Sequence, residues 1–228
     1  MLIKAFPAGI WQTNCYVVAT QRNSECLIID PGFNCAAQVD EIVREYHLRP
    51  IATLLTHGHL DHMWSVVPIA DGYEIPAYIH AADKHLLADP AAGVSAETVA
   101  MLSKEMGAFN FVEPSEVILF SNRTNVSIAG ISIDLIPAPG HTSGSTIFQV
   151  NNESNAVFTG DVLFAGAIGR TDLPGGSSEQ MNNTLRSVIL PLSDDSRVLP
   201  GHGPESTMEI ERVNNPYLRR IAQGLSAV

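Results

Sequence analysis

The sequence predicts an α/β sandwich, two β-sheets packed face to face with helices outside. Three observations lead there. The 228 residues are 45% hydrophobic and only 16% charged, which is enough apolar matter for one sizeable core over residues 1–228. The order of elements occurs twice. In each half, two of the strands stop at a residue that can bind a ligand. In the first half, Cys15 to Ala19 reads as a strand, and Glu25 to Ile29 as a second strand that stops at Asp30-Pro31-Gly32. Val39, Ile42, Val43 and Tyr46 then recur at helical spacing, and the apolar run Ile51 to Leu55 stops at Thr56-His57. In the second half, Ser145 to Val150 is a strand and Ala156 to Phe158 is another, ending at Thr159-Gly160-Asp161. Met181, Leu185, Val188 and Ile189 mark a helix, and Arg197 to Leu199 runs into Pro200-Gly201-His202. Each half reads strand, strand ending in Asp, helix, strand ending in His. Ordinary α/β alternation gives a similar order without a repeat. The echo places Asp30, His57, Asp161 and His202 at strand ends along one edge, where ligand sites of α/β sheets sit. Between the halves, Val99, Leu102 and Met106 recur at helical spacing after a capping Ser95, either as a packing helix or as a flap over the site.

The formal net charge of −11 and the absence of a Lys/Arg run argue against a nucleic-acid partner and against an anionic membrane surface. Cys15, Cys26 and Cys35 are odd in number and contain no C-x-x-C pair, so they read as small buried hydrophobes. The N-terminus lacks the apolar core of a signal peptide, and no apolar run reaches the ~18 residues of a membrane span. The expected location is the cytoplasm. The N-x-S/T triplets at Asn122, Asn125, Asn152 and Asn182 are then chance matches.

The segment Thr56-His57-Gly58-His59-Leu60-Asp61-His62 packs four potential metal ligands into six residues directly after an apolar strand. Neutral imidazole and carboxylate are the ligands that borderline divalent metals take. In extended backbone His57 and His59 can converge on one metal. Asp61 and His62 then fall on the other side, as the chain turns into a helix beginning near Met63. Gly58 is expected to supply backbone freedom.

This run resembles the H-x-H-x-D-H signature of the metallo-β-lactamase superfamily, and the resemblance extends in order over nearly the whole chain. Ile28-Ile29-Asp30-Pro31-Gly32 is similar to the first motif, Pro139-Gly140-His141-Thr142 to the third, Thr159-Gly160-Asp161 to the fourth and Pro200-Gly201-His202-Gly203 to the last. Asn14-Cys15-Tyr16 and Gly169-Arg170-Thr171-Asp172-Leu173 resemble the glyoxalase II branch, the hydroxyacylglutathione hydrolases, in a short bacterial form. The resemblance implies an αββα sandwich of two mixed sheets. It implies two divalent ions, zinc first, with iron or manganese as alternatives. His57, His59 and His141 would hold one ion, Asp61, His62 and His202 the other, and Asp161 would bridge them. A bridging hydroxide would attack a thioester carbonyl, with Asp61 orienting it as well as ligating. The expected partner is a small 2-hydroxyacyl thioester.

Asp30 lies beyond that ligand count and reads either as a residue that holds a ligand histidine or as a turn residue before Pro31-Gly32. Arg170 and Asp172 read as an ion pair, either beside Asp161 or remote from it. His47 is expected at a solvent-facing helix end, and His80 and His85 away from the substrate. The 26 residues after His202 (203 to 228) hold Arg212, Arg219 and Arg220 but no helical glutathione-binding domain, so weak discrimination of the thiol carrier is expected. Other functions compatible with the same motifs are a persulfide dioxygenase with one iron on His57, His141 and Asp161, and a lactone or ester hydrolase. A tRNA-processing nuclease is disfavoured by the acidic balance, and a metal-binding module without catalysis by the complete ligand set.

Overall fold

A computed structural model describes residues 1–106, 111–152 and 154–228, excepting the side chains of residues 103, 105 and 106. The first sheet holds β1 (Leu2–Ala8), β2 (Thr13–Ala19), β3 (Glu25–Ile29), β4 (Arg49–Leu54), β5 (Ala77–His80) and β6 (Val117–Phe120) in sequential order. Its first three strands are antiparallel, and β3 to β6 are parallel. The second sheet holds β7 (Thr124–Ile128), β8 (Ile131–Pro137), β9 (Thr146–Val150), β10 (Ala156–Gly160), β11 (Arg197–Pro200) and β12 (Ser206–Thr207), also in sequential order. Its pairs are antiparallel except β10 with β11. The helices are α1 (Ala36–Tyr46), α2 (Leu60–Met63), α3 (Val66–Tyr73), α4 (Ala96–Met106), α5 (Ser178–Thr184), α6 (Met208–Asn214) and α7 (Pro216–Ala222). A π-turn over Leu185–Ile189 extends α5, and two short 3₁₀ helices, Ala81–Leu87 and Pro90–Gly93, follow β5.

Strand alternation divides the apolar residues between two layers. Along β2, Tyr16 and Val18 point into the space between the sheets, while Cys15, Val17 and Ala19 pack against α1 and α3. The inter-sheet core joins Leu27, Ile29 and Leu54 of one sheet to Ile133, Leu135, Phe148 and Phe158 of the other. Outside the second sheet, Ile147, Val157 and Val198 meet Met181, Leu185 and Ile189 of α5 and its extension, with Leu218 and Ile221 of α7. The result is the expected helix–sheet–sheet–helix layering.

The repeated pattern corresponds to β2–β3–α1–β4 and β9–β10–α5–β11, each with one parallel pair bracketing its helix. All three cysteines are free and buried. His47 ends α1 in the left-handed conformation, φ 53°, exposed to solvent. In α4, Leu102 is buried beside Leu55 and Met63, which fits a packing helix; the Met106 side chain lies outside the described residues. The pattern did not disclose β1, β5 to β8 or the two C-terminal helices. Among the described residues no helix is long and apolar enough to cross a membrane.

Phe158 is 1% exposed at the centre of the inter-sheet core. Truncation to alanine is expected to cost about 3–5 kcal/mol and to lower the melting temperature by roughly 10 °C. Calorimetry of Phe158→Ala checks this.

Candidate metal centre

The donors stand at the ends of strands. Beyond β4 the chain stays extended through His59, φ −66° and ψ 146°, and turns into α2 at Leu60. The helix therefore starts before Met63, and Asp61 and His62 lie within it rather than ahead of it. His141 sits in the β8–β9 loop, Asp161 follows β10, and His202 follows β11. Backbone bonds lash the two sheets together at this edge: Thr146 N donates to Thr56 O at 2.8 Å, and Asn14 N to Gly201 O at 2.7 Å.

All seven expected donors converge. His59 Nδ1 lies 2.8 Å from His141 Nε2, and the His57 ring stands 4.8 Å from both of their rings. His202 Nε2 is 3.1 Å and His62 Nε2 3.4 Å from Asp61 Oδ2. Asp161 stands between the two sets, with Oδ1 3.2 Å from His62 Nε2 and Oδ2 3.5 Å from His141 Nε2. The sets His57/His59/His141 and Asp61/His62/His202 each keep their ligand atoms within 4.8 Å of one another.

Such a cluster is costly without a cation. His57 Nε2, His62 Nε2 and Asp161 Oδ1 are buried without a hydrogen-bond partner, and an orphaned buried polar atom costs about 1–3 kcal/mol. Divalent cations fit this donor set. Three ring tautomers are fixed from behind: His57 Nδ1 meets Thr56 Oγ1 at 3.1 Å, His62 Nδ1 meets Asp30 Oδ2 at 2.9 Å, and His141 Nδ1 meets the Arg170 carbonyl at 2.8 Å. Each of these nitrogens donates its proton outward, leaving the Nε2 lone pair for a metal. Asp30 also accepts from Thr56 N and Oγ1, so it holds a ligand histidine and the loop before it. Gly201 is required by space: a Cβ there would lie 2.3 Å from Asp161 Oδ1. Gly58 is likewise required by close approach, since a Cβ would meet Leu86 at 2.8 Å; backbone freedom is not the reason.

Comparison with known proteins agrees with this geometry. The family model described as the metallo-beta-lactamase superfamily matches residues 8–202. The chain belongs to the metallo-β-lactamase superfamily. An uncharacterized protein of Mycobacterium tuberculosis is 41% identical over 98% of this chain and 100% of its own length. The hydroxyacylglutathione hydrolase GloC of Haemophilus influenzae is 31% identical over 96% of this chain and 98% of its own. Among solved structures, the BLEG-1 B3 metallo-beta-lactamase superposes with a TM-score of 0.83 at 35% identity, covering 95% of this chain and 99% of that one. TTHA1623 in a di-iron-bound form gives 0.73 at 30% identity, covering 92% and 96%.

Within this metallo-β-lactamase site, burial and the neighbouring imidazoles hold His57 well below the ordinary histidine range, and burial with His141 brings His59 down to about 3. Burial pushes against the charge of His62, but Asp61, Asp161 and Asp30 overcome it and raise its pKa. Burial likewise opposes ionisation of Asp61 and Asp161, and His62 outweighs it, so both are held low.

The remaining expected residues divide. Arg170 and Asp172 form an exposed two-pronged ion pair at 2.6 and 2.7 Å, so only the Arg170 carbonyl serves the site. His80 binds Ala82 N and Ser121 O at the surface, and Arg212 is engaged by Asp194. The motif residues Asn14 and Tyr16 both donate to Pro200 O, at 3.0 and 2.6 Å, fastening the loop that carries His202. Two contributors had no local signal: Thr13, whose hydroxyl donates to Asp61 Oδ2 at 3.0 Å, and Asp83.

Two outcomes follow from this site. Because the donors come from separate chain segments, a bound metal cross-links them only when folded. Chelation should lower the melting temperature by several degrees and zinc should restore it, as followed by thermal melts. Second, native His59 stays neutral down to about pH 3 while the unfolded residue takes a proton near 6.5. Its contribution to stability is therefore full above about pH 6.5 and is lost as pH falls toward 3. Metal-free His59→Gln, which has no such proton to bind, should lose less stability than metal-free wild type over that window, by denaturant titration.

Proposed function

We propose that this chain is a metal-dependent hydrolase of small 2-hydroxyacyl thioesters that works with two divalent ions, zinc first among them. The observation that carries this reading is Asp161, one carboxylate reaching both a histidine of the first donor set and a histidine of the second. His57, His59 and His141 would hold one ion, Asp61, His62 and His202 the other, and Asp161 both. Bound ions of this kind supply a deprotonated water at neutral pH and polarise a carbonyl oxygen.

The chain's own groups do the rest. Asp61 is ionised at neutral pH, and its Oδ2 is steered by the Thr13 hydroxyl at 3.0 Å, so it can accept a hydrogen bond from the attacking water and orient it as well as ligate. A leaving thiol with a pKa near 8.5 departs as thiolate without a dedicated acid. The name of the Haemophilus relative supports acyl-thioester cleavage as the reaction class. Weak discrimination of the thiol is supported by charge: Arg170 is engaged by Asp172, Lys84 by Glu113 and Arg212 by Asp194, which leaves these cations little pull on an anionic carrier. The net charge of −11 also favours a small neutral or weakly charged acyl group over a polyphosphate.

Asp161→Ala should lose metal and lower thioester turnover together, the latter by at least about 100-fold. Elemental analysis beside a steady-state assay checks it, and wild-type metal content in the variant would remove the shared ligand. With one 2-hydroxyacyl group on several thiol carriers, KM for the glutathione ester should be high and close to that for the other carriers, with kcat preserved. Saturation with glutathione esters alone would overturn the weak discrimination. Turnover of a cephalosporin but no thioester would favour a lactamase, the activity named for BLEG-1. Oxygen uptake on glutathione persulfide without thioester hydrolysis would favour the one-iron dioxygenase.

A further inference from the structure

Asp83 lies in the 3₁₀ helix after β5, outside every sequence motif, and is 1% exposed. Its carboxylate collects three donors. Oδ2 accepts from Gly58 N at 3.0 Å and from Thr142 Oγ1 at 2.6 Å, and Oδ1 accepts from Gly144 N at 2.7 Å. Gly58 lies between His57 and His59, and Thr142 directly follows His141. One side chain thus ties together the two loops that carry the three histidines of the first donor set.

We propose that Asp83 is a positioning residue for the three-histidine half of the centre, clamping the Gly58 loop to the Thr142–Gly144 loop so that His57, His59 and His141 face one ion. This rests on the two-metal reading above. Both oxygens face N–H or O–H donors, so a carboxylate satisfies the position and an amide does not: an asparagine NH₂ would confront another donor. The chemistry of the half-site also favours a charge here. His57, His59 and His141 offer no negative charge of their own, whereas the other half contains Asp61. A buried carboxylate one residue behind the imidazoles supplies that charge where solvent screens it little. Lys84, the adjacent cation, is paired with Glu113 and does not cancel it. Asp30 does comparable work at His62, which it touches directly. Asp30 also reaches His57 through the Thr56 hydroxyl, whereas Asp83 binds the loops of the three-histidine half alone.

The test separates the two halves. Zinc affinity is measured by competition with a chromophoric chelator for wild type, for His202→Ala, which leaves the three-histidine half, and for His59→Ala, which leaves the other. Asp83→Asn is then added to each. In the His202→Ala background it should weaken zinc about 10- to 100-fold, the usual effect of losing a group behind a ligand. In the His59→Ala background the change should stay within about threefold, because the Asp83 carboxylate binds Gly58, Thr142 and Gly144 and not the loops of Asp61, His62 and His202. Thr142→Val, which removes one of the three donors, should give a smaller loss in the same half only. If Asp83→Asn does not fold without metal, Thr142→Val carries the comparison. Equal losses in both backgrounds would show a general structural role, and no loss in either would show no role at all; both overturn the proposal. Wild type binding fewer than two zinc equivalents would instead sink the two-metal reading itself.

Discussion

The organising constraint is the convergence of five imidazoles, four of them buried, and two partly buried carboxylates within reach of one another. Protein interiors tolerate such groups only when each polar atom has a partner. Here His57 Nε2, His62 Nε2 and Asp161 Oδ1 have none within the chain. The surrounding architecture is best understood as the frame that keeps them facing inward. Parallel strands β3, β4, β10 and β11 deliver their C-terminal ends to one edge, and the Thr146–Thr56 and Asn14–Gly201 backbone bonds close the gap between sheets there. The inter-sheet core of Phe148, Phe158 and the aliphatic strand residues fixes the distance between those ends.

Charge follows the same logic. His62, surrounded by Asp61, Asp161 and Asp30, holds its proton more firmly than a free histidine, while His57 and His59, which lie among other imidazoles, give theirs up. In the protein alone, a proton on His62 offsets carboxylate charge that a divalent cation would offset better. Neutral His57 and His59 are already in the form a metal requires. The cluster is thus prepared for cations at neutral pH, with the acids on one side and the uncharged rings on the other.

The family motifs also acquire physical content. Asn14 and Tyr16 both donate to the Pro200 carbonyl and steady the His202 loop. Cys15, between them, points to the opposite face of β2 and packs under α1, which is why it is a small buried hydrophobe and not a ligand. Arg170 shows that a motif residue can serve through its backbone: its carbonyl holds His141 while its guanidinium lies at the surface with Asp172.

The sequence by itself determined the layering and the clustered donors His57, His59, Asp61 and His62, while the family resemblance named His141, Asp161 and His202 as the residues that would join them. The layering and the first cluster are local, carried by strand periodicity, helical spacing and ligands placed directly after a strand; the distant donors were legible as ligands only through the resemblance. The sequence also determined that Asp30 is available, though not that it holds His62 rather than merely turning the chain. Only the tertiary structure decided what stands behind the ligands. Asp83 reaches Gly144 across 61 positions, and Thr13 reaches Asp61 across 48. An aspartate in a short 3₁₀ helix has no periodicity that reveals its partners. The need for glycine at 58 was set the same way, by the packing of Leu86 against the loop. Contacts between distant segments exist only once the two sheets are closed, and single-chain spacing carries no record of them.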